Sequence, residues 1–374
     1  MKNKLPLVLL SFIPMVLASC GEVIKYEEHL DDYVYEMTYR DGFNILQLTD
    51  IHWNNNSSTM ASKIYLEKVI DEAARHAGKI DLVELTGDLF MLANSYHIDT
   101  FLDFIEKKAS QYDFRYATIW GNHDHHCLYN PNLLSKRFAE APHSIHIDPN
   151  DDLYGRSNFV INLKSGGQTK WQIANLDSGA SFSETALSPF RDYDYIRKDQ
   201  TAWWLKEHEK VGDTVPGIAY YHIPQDENRK AWEDVSEGAT YKNRFFKLEG
   251  FGDNGGEEYA SDFLDVASQH NLKAAFMGHA HNVDWTVDYP FDNGHKVTIG
   301  LGVKTGGELY YAHIKKDSED PDMQKGMDSV NIHEDFDLIG ASLVSLKNEG
   351  GDFDLEHLYL NERANEDFIR WVTY

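Results

Sequence analysis

The sequence predicts an α/β fold built on parallel strands with helical crossovers, and three observations carry that reading. Short apolar runs alternate with segments of helical periodicity through the first 120 residues, a β-α-β-α-β order. Each of the first three runs ends in a short polar motif, as strands do at the ligand-binding edge of an open α/β sheet. Further strand-like runs fill the last hundred residues and suggest a second sheet packed on the first.

The elements follow in order. Phe43 to Thr49 reads as a strand ending at Asp50. Ile64, Val69, Ile70 and Ala73 lie along one side of a helix over about 58–76. Ile80 to Thr86 is the next strand, ending at Gly87-Asp88, and a second helix covers about 99–110. Tyr116 to Trp120 is the third strand, ending at Gly121-Asn122. Asn158–Leu163 and Trp171–Leu176 flank a Ser165-Gly166-Gly167 turn and read as a hairpin. A helix bearing Trp203, Trp204 and Leu205 comes next. The strand Ile218–Tyr221 leads into His222, and Pro224 stops it. A helix over 260–269 precedes the strand Lys273–Met277, which ends at Gly278-His279. Val283–Val287, Lys296–Leu301, Leu309–His313 and Leu338–Leu346 are the late β runs. Residues 226–256 and 316–331 are polar enough to read as exposed loops, the first placed to shape a substrate wall.

The chain has 374 residues, 42% of them hydrophobic and 13% aromatic, ample for a large core. We find no internal repeat and no low-complexity tract. The formal charge is -26, from 35 Lys+Arg against 61 Asp+Glu. Such a surface repels a phosphate backbone, which argues against nucleic acid as a partner and against a nuclease. A small phosphate ester is not excluded, because bound cations reverse the sign locally.

Lys2 and Lys4 precede an apolar stretch, Leu5 to Leu17, that is too short for a comfortable membrane span. Leu17-Ala18-Ser19-Cys20-Gly21 follows and resembles a bacterial lipobox. The expected organisation is a signal peptide over 1–19, a tether over 20–32 starting at a lipidated Cys20, and one domain over 33–374. The expected location is outside the cytoplasm, anchored to a bacterial membrane by that lipid. With Cys20 lipidated, Cys127 has no partner in the chain, so a disulfide-stapled fold is excluded. Cys127 reads as a small buried residue.

Five motifs occur in a fixed order: Asp50-Ile51-His52, Gly87-Asp88, Gly121-Asn122-His123-Asp124, Tyr221-His222 and Gly278-His279-Ala280-His281. Each alone is compatible with a turn or a surface histidine. Together they supply carboxylate, imidazole and amide oxygen, the donor set of a two-metal hydrolytic site. Two cations about 3.5–4 Å apart neutralise a phosphate ester and hold attacking and leaving oxygens in line. A carboxylate can bridge two metals through its two oxygens, and an amide oxygen binds without adding charge. Imidazoles bind as neutral bases, so metal loading should fall in acid. His125 and His126 are extra to the motif, and His97, His143, His146, His295 and His313 read as structural. No His-Glu-x-x-His is present, which disfavours a zinc protease.

These motifs, over residues 43 to 314, resemble the calcineurin-like metallophosphoesterases. Tyr221-His222-Ile223-Pro224 and its spacing to Gly278-His279-Ala280-His281-Asn282 are similar to the purple-acid-phosphatase-29-like phosphatases within that family. The resemblance implies a four-layer αββα sandwich with metals at one sheet edge. It implies that Asp50, His52 and His281 bind one metal, that Asn122, His222 and His279 bind the other, and that Asp88 bridges both. It places His123 at the leaving group or phosphoryl oxygens, with Asp124 fixing its orientation. The implied activity is phosphatase or phosphodiesterase, with two divalent cations (Mn, Zn or Fe) and a metal-bound hydroxide as nucleophile. Met91 stands three residues after Asp88, where the family often has Asp or Tyr, so no tyrosinate–iron bond is expected. The competing expectation is a surface lipoprotein that keeps the fold as a non-catalytic binding module.

Overall fold

The computed structural model describes residues 33–54, 57–126, 130–148, 153–182, 192–233, 240–247, 261–307, 313–317, 319, 324, 328, 336–347, 351–361 and 368–373. The signal peptide, the tether, Cys20, Cys127 and most of 316–331 lie outside them.

Two mixed sheets face each other. The six-stranded sheet runs in the order Phe368–Thr373, Phe353–Asn361, Gly340–Leu346, Phe43–Leu48, Leu82–Thr86 and Arg115–Ile119. Its last three strands are parallel, as the β-α-β-α-β pattern predicts, with the helices Ser57–Ala77 and Ser95–Tyr112 as crossovers. The eight-stranded sheet runs Val34–Thr38, Phe159–Ser165, Gln168–Asn175, Gly217–Tyr220, Leu272–Met277, Lys296–Leu301, Val283–Pro290 and Thr240–Lys247.

Side chains alternate along these strands, and each face has its own core. Ile45, Leu82, Ala117 and Ile119 of the first sheet meet Phe159, Ile161, Ile173, Ile218, Tyr220 and Phe276 of the second. The opposite face of the first sheet, with Leu46, Val83, Leu85 and Tyr116, packs on Val69, Ile70, Phe101 and Ile105 of the two helices. The outer face of the second, with Ala174, Ala219, Ala275 and Ile299, packs on Trp204 and Phe263. Those two residues belong to the helices Lys198–Val211 and Phe263–Gln269. Helix, sheet, sheet, helix is the expected four-layer order.

Three expectations need correction. The late β runs do not make a sheet of their own. Gly340–Leu346 pairs antiparallel with Phe43–Leu48 in the first sheet, while Val283–Pro290 and Lys296–Leu301 belong to the second. Residues 226–256 are not simply a loop: Asp226–Glu233 is a helix, and Thr240–Lys247 is an edge strand on Val283–Pro290. The second helix begins at Ser95 instead of 99 because Asn94 caps it. Its side chain accepts from the Tyr96 and His97 amides at 3.0 and 3.3 Å, and His97 Nδ1 accepts from the Asn94 amide at 3.2 Å. Besides Thr240–Lys247, the longer strands that the reading did not include are Val34–Thr38, Phe353–Asn361 and Phe368–Thr373.

Candidate metal centre

The polar motifs converge at one edge of the two sheets. After Phe43–Leu48 and Leu82–Thr86 the chains keep pairing through irregular loops. Asp50 N donates to Gly87 O at 3.1 Å, His52 N to Asp88 O at 2.9 Å, and Trp53 N to Leu89 O at 2.7 Å. This pairing needs unusual backbone. Asp50, His52, Asp88 and His279 all have positive φ, between 50° and 76°, a region non-glycine residues seldom occupy. Gly121 closes the third loop against Asp88: a Cβ there would stand 2.3 Å from both the amide nitrogen and Oδ1 of Asp88.

Asp50, His52, Asp88 and His281 offer ligand atoms all within 4.8 Å of one another, as do Asp88, His222 and His279. Asp88 belongs to both groups. Its Oδ2 lies 3.3 Å from His222 Nε2 and 3.8 Å from His52 Nε2, and its Oδ1 accepts from the His123 amide at 2.8 Å. His52 Nε2 faces His281 Nε2 at 3.0 Å, and His281 Nε2 is 3.3 Å from Asp50 Oδ1. Asn122 Oδ1 stands 3.0 Å from His279 Nδ1, which adds an amide oxygen to the second group. His222 Nδ1 is 2.9 Å from the Thr86 carbonyl and must donate to it, leaving Nε2 turned toward Asp88.

The electrostatics call for positive charge. Burial pushes Asp50 and Asp88 up, yet the surrounding imidazoles outweigh it and hold both carboxylates below their usual range. Burial pulls His52 and His279 down to about 3, so both present neutral nitrogens. Burial also opposes charge on His222, but Asp88 and Asp50 override it and raise His222 to about 9. Mixed carboxylate, imidazole and amide donors, packed this closely around two anionic side chains, fit divalent cations.

His123 projects from the one-turn helix Asn122–His125, its ring 5.1 Å from that of His52 and its Nε2 3.9 Å from Asp88 Oδ2. Its side chain is 37% exposed, which makes it the open imidazole of the group. Asp124 does not do what its adjacency to His123 suggests. Its carboxylate is buried and accepts from the amides of Leu89, Phe90 and Gly121 at 3.2, 2.9 and 2.9 Å. Neighbours on a helix point roughly 100° apart, so Asp124 turns under the Asp88 loop and braces it instead of orienting the His123 ring. Burial and the nearby Asp88 charge raise Asp124 to about 7.

Sequence reasoning missed two neighbours. Tyr193 sets its ring edge-to-face on His279 at 4.3 Å, and nothing in its polar surroundings signalled this. Asp177 pairs with His125 at 3.0 Å. It did carry a signal: Leu176-Asp177-Ser178-Gly179 follows an apolar run just as the five motifs do. His146 and His143 are structural as expected, the first buried against Trp120 and the second on Glu106.

An αββα sandwich with a buried carboxylate–imidazole cluster at its strand ends is the architecture of a phosphoester-cleaving metallohydrolase. A family model for calcineurin-like phosphoesterase matches residues 43–283, and the chain belongs to that family. Three curated relatives are similar at lower identity. Probable inactive purple acid phosphatase 14 of Arabidopsis thaliana is 25% identical over 50% of this chain and 54% of its own length. Probable inactive purple acid phosphatase 28 of the same plant is 23% identical over 67% of this chain and 68% of its own. Phosphatase DCR2 of Saccharomyces cerevisiae is 22% identical over 65% of this chain and 44% of its own. The chain thus spans about half the length of the first of these relatives.

Proposed function

We propose that this protein hydrolyses a phosphate ester at a dinuclear divalent-metal centre. Asp50, His52 and His281 would hold one cation, Asn122, His222 and His279 the other, and Asp88 both. The observation that carries this is the membership of Asp88 in both ligand groups. Cations bound there would neutralise the phosphoryl charge and make an attacking oxygen available at neutral pH. The chain's own residues do the rest. Asp88 sets the spacing of the two positions. The Thr86 carbonyl fixes the His222 tautomer, so that Nε2 is the presented nitrogen. Asn122 supplies an oxygen without further negative charge. His123, exposed at the mouth, donates a hydrogen bond or proton to the leaving oxygen. The acidic balance of the chain argues against nucleic acid as the phosphate ester.

The test is turnover of p-nitrophenyl phosphate and bis-p-nitrophenyl phosphate with Mn, Zn, Fe or chelator, with bound metal counted in parallel. Metal-dependent turnover with two equivalents bound is expected, and the preferred ester assigns mono- or diesterase. Two bound metals without turnover of either ester would point to a narrow substrate gated by residues 226–256, whereas neither bound metal nor turnover would favour the binding-module reading. On the sequence alone, we also propose that residues 33–374 act as one domain and that lipid on Cys20 anchors it to a bacterial membrane.

A further inference from the structure

We propose that His125 and Asp177 form a positioning pair that holds the helix bearing Asn122 and His123 in register with the rest of the centre. The inference rests on the phosphoesterase reading above. Asn122–His125 is a single helical turn, too short to hold its shape unaided. Its amino end is fastened, since Asp124 takes the Gly121 amide and Asp88 takes the His123 amide. Its carboxyl end is fastened by His125, whose Nε2 lies 3.0 Å from Asp177 Oδ1.

Asp177 is built to be rigid. It is fully buried. Its Oδ1 also accepts from the Gly179 amide at 2.8 Å, and its Oδ2 accepts from the Arg156 amide at 2.7 Å. The Asp177 amide donates to Asn158 Oδ1 at 3.0 Å, and its carbonyl accepts from Gln200 Nε2 at 2.7 Å. Gly155, at φ 93°, lies so close that a Cβ would stand 2.6 Å from Asp177 Cβ. Burial opposes charge on both partners, yet each outweighs it for the other: His125 is held above its usual range and Asp177 below.

The pair joins the two halves of the molecule. The helix follows Arg115–Ile119 of the six-stranded sheet, and Asp177 follows Gln168–Asn175 of the eight-stranded sheet. Asn122 must meet His279, which comes from the eight-stranded sheet, while its helix grows from the other. The His125–Asp177 contact is a strut across that gap, beside the place where the match is needed. Without it, the Asn122 oxygen and the His123 ring keep their chemistry and lose their placement.

The experiment uses the full-length chain in detergent, with His125→Ala, His125→Gln, Asp177→Asn and the double variant His125→Ala/Asp177→Ala. Three quantities are read: kcat and KM on the ester the wild type prefers, metal dissociation by chelator competition, and hydrogen exchange of residues 121–126 in metal-free protein. Loss of a residue that orients ligands costs about 10–100-fold in metal affinity or activity. His125→Ala should therefore lower kcat by about that factor with KM nearly unchanged. It should also weaken one metal and speed exchange at 121–126. His125→Gln, which keeps a donor, should recover most of the loss. Asp177→Asn should fall between, and the double variant should be no worse than the worse single. Folded His125→Ala with wild-type kcat, metal affinity and exchange would overturn the proposal. If His125→Ala does not fold, Asp177→Asn decides on the same readouts. If the wild type cleaves no ester, the phosphoesterase reading fails separately, and metal dissociation and exchange still decide the pairing.

Discussion

Gly121→Ala isolates the packing of the metal-bearing loops from their chemistry. Gly121 has φ −99°, which alanine adopts freely, so the substitution carries no backbone strain. The whole effect is steric. The new Cβ would stand 2.3 Å from the Asp88 amide nitrogen and Oδ1, short of ordinary contact at 3.4 Å by about 1 Å. Neither partner can yield cheaply: one is backbone, and the other belongs to the carboxylate shared by both ligand groups. Ligand distances tolerate about ±0.2 Å, so a displacement of about 1 Å exceeds that several-fold. Overpacking of this kind costs about 1–3 kcal/mol of stability, and a misplacement of about 1 Å costs about 10²-fold in rate. Metal titration, kcat and melting temperature would be measured on the same preparation. Gly166→Ala is the control. It has φ 60° and nothing within 4 Å, so it should lose about 1–2 kcal/mol from strain alone and keep full activity. Wild-type metal affinity and kcat in Gly121→Ala would refute the claim that this contact sets the Asp88 position.

Four further outcomes are expected. Asp88→Asn should lower bound metal below two equivalents and abolish turnover, and elemental analysis that still finds two would sink the shared-ligand assignment. His123→Ala should keep both metals while kcat drops by about 10²–10⁴; loss of metal would make His123 a ligand. Glu84 is fully buried between the sheets, facing Asn175 and Tyr220, and burial raises its pKa well above 4.5. The native state therefore keeps a proton that the unfolded chain releases, so wild-type stability falls as pH rises past 4.5, by up to about 1.4 kcal/mol per unit. Glu84→Gln should remove that slope, and melting curves of the two proteins that stay parallel from pH 5 to 8 would contradict it. Cys20→Ser should move the protein from the membrane to the soluble fraction, with unchanged lipid labelling as the contrary result.

The legible parts of this fold were those specified locally. Strands buried on both faces, such as Phe43–Leu48 and Leu272–Met277, stand out as apolar runs wherever the sequence is read. Val34–Thr38 does not, because its residues are half-exposed at a sheet edge. Sheet membership was legible only for neighbours in sequence: the parallel strands joined by helical crossovers and the hairpin around Ser165-Gly166-Gly167. Gly340–Leu346 reads as a strand, yet nothing near it says that its partner is Phe43–Leu48. The polar composition of 226–256 hid a helix and an edge strand, since an element on the periphery of a sheet needs few apolar residues. At the site, the residues that converge were legible because carboxylate, amide and imidazole stand in short polar motifs at strand ends. The roles of Asp124 and Asp177 were not, because they hold backbone amides and a neighbouring imidazole from beneath.

The backbone itself supplies the strongest argument that these side chains serve a ligand and not the fold. Asp50, His52, Asp88 and His279 occupy the left-handed region, at about 1–3 kcal/mol each. Glycine at those turns would remove the strain and still let the loops pair, since the pairing uses only amides and carbonyls. Packing gives no return either, because two buried carboxylates among imidazoles cost desolvation that apolar side chains would not. Strain and burial thus coincide at Asp50, His52 and Asp88, and these three, with His279, belong to the two groups whose ligand atoms converge within 4.8 Å. A site that concentrates both penalties where the donors meet is explained by the cations those donors would share, and by nothing in the stability of the sandwich around it.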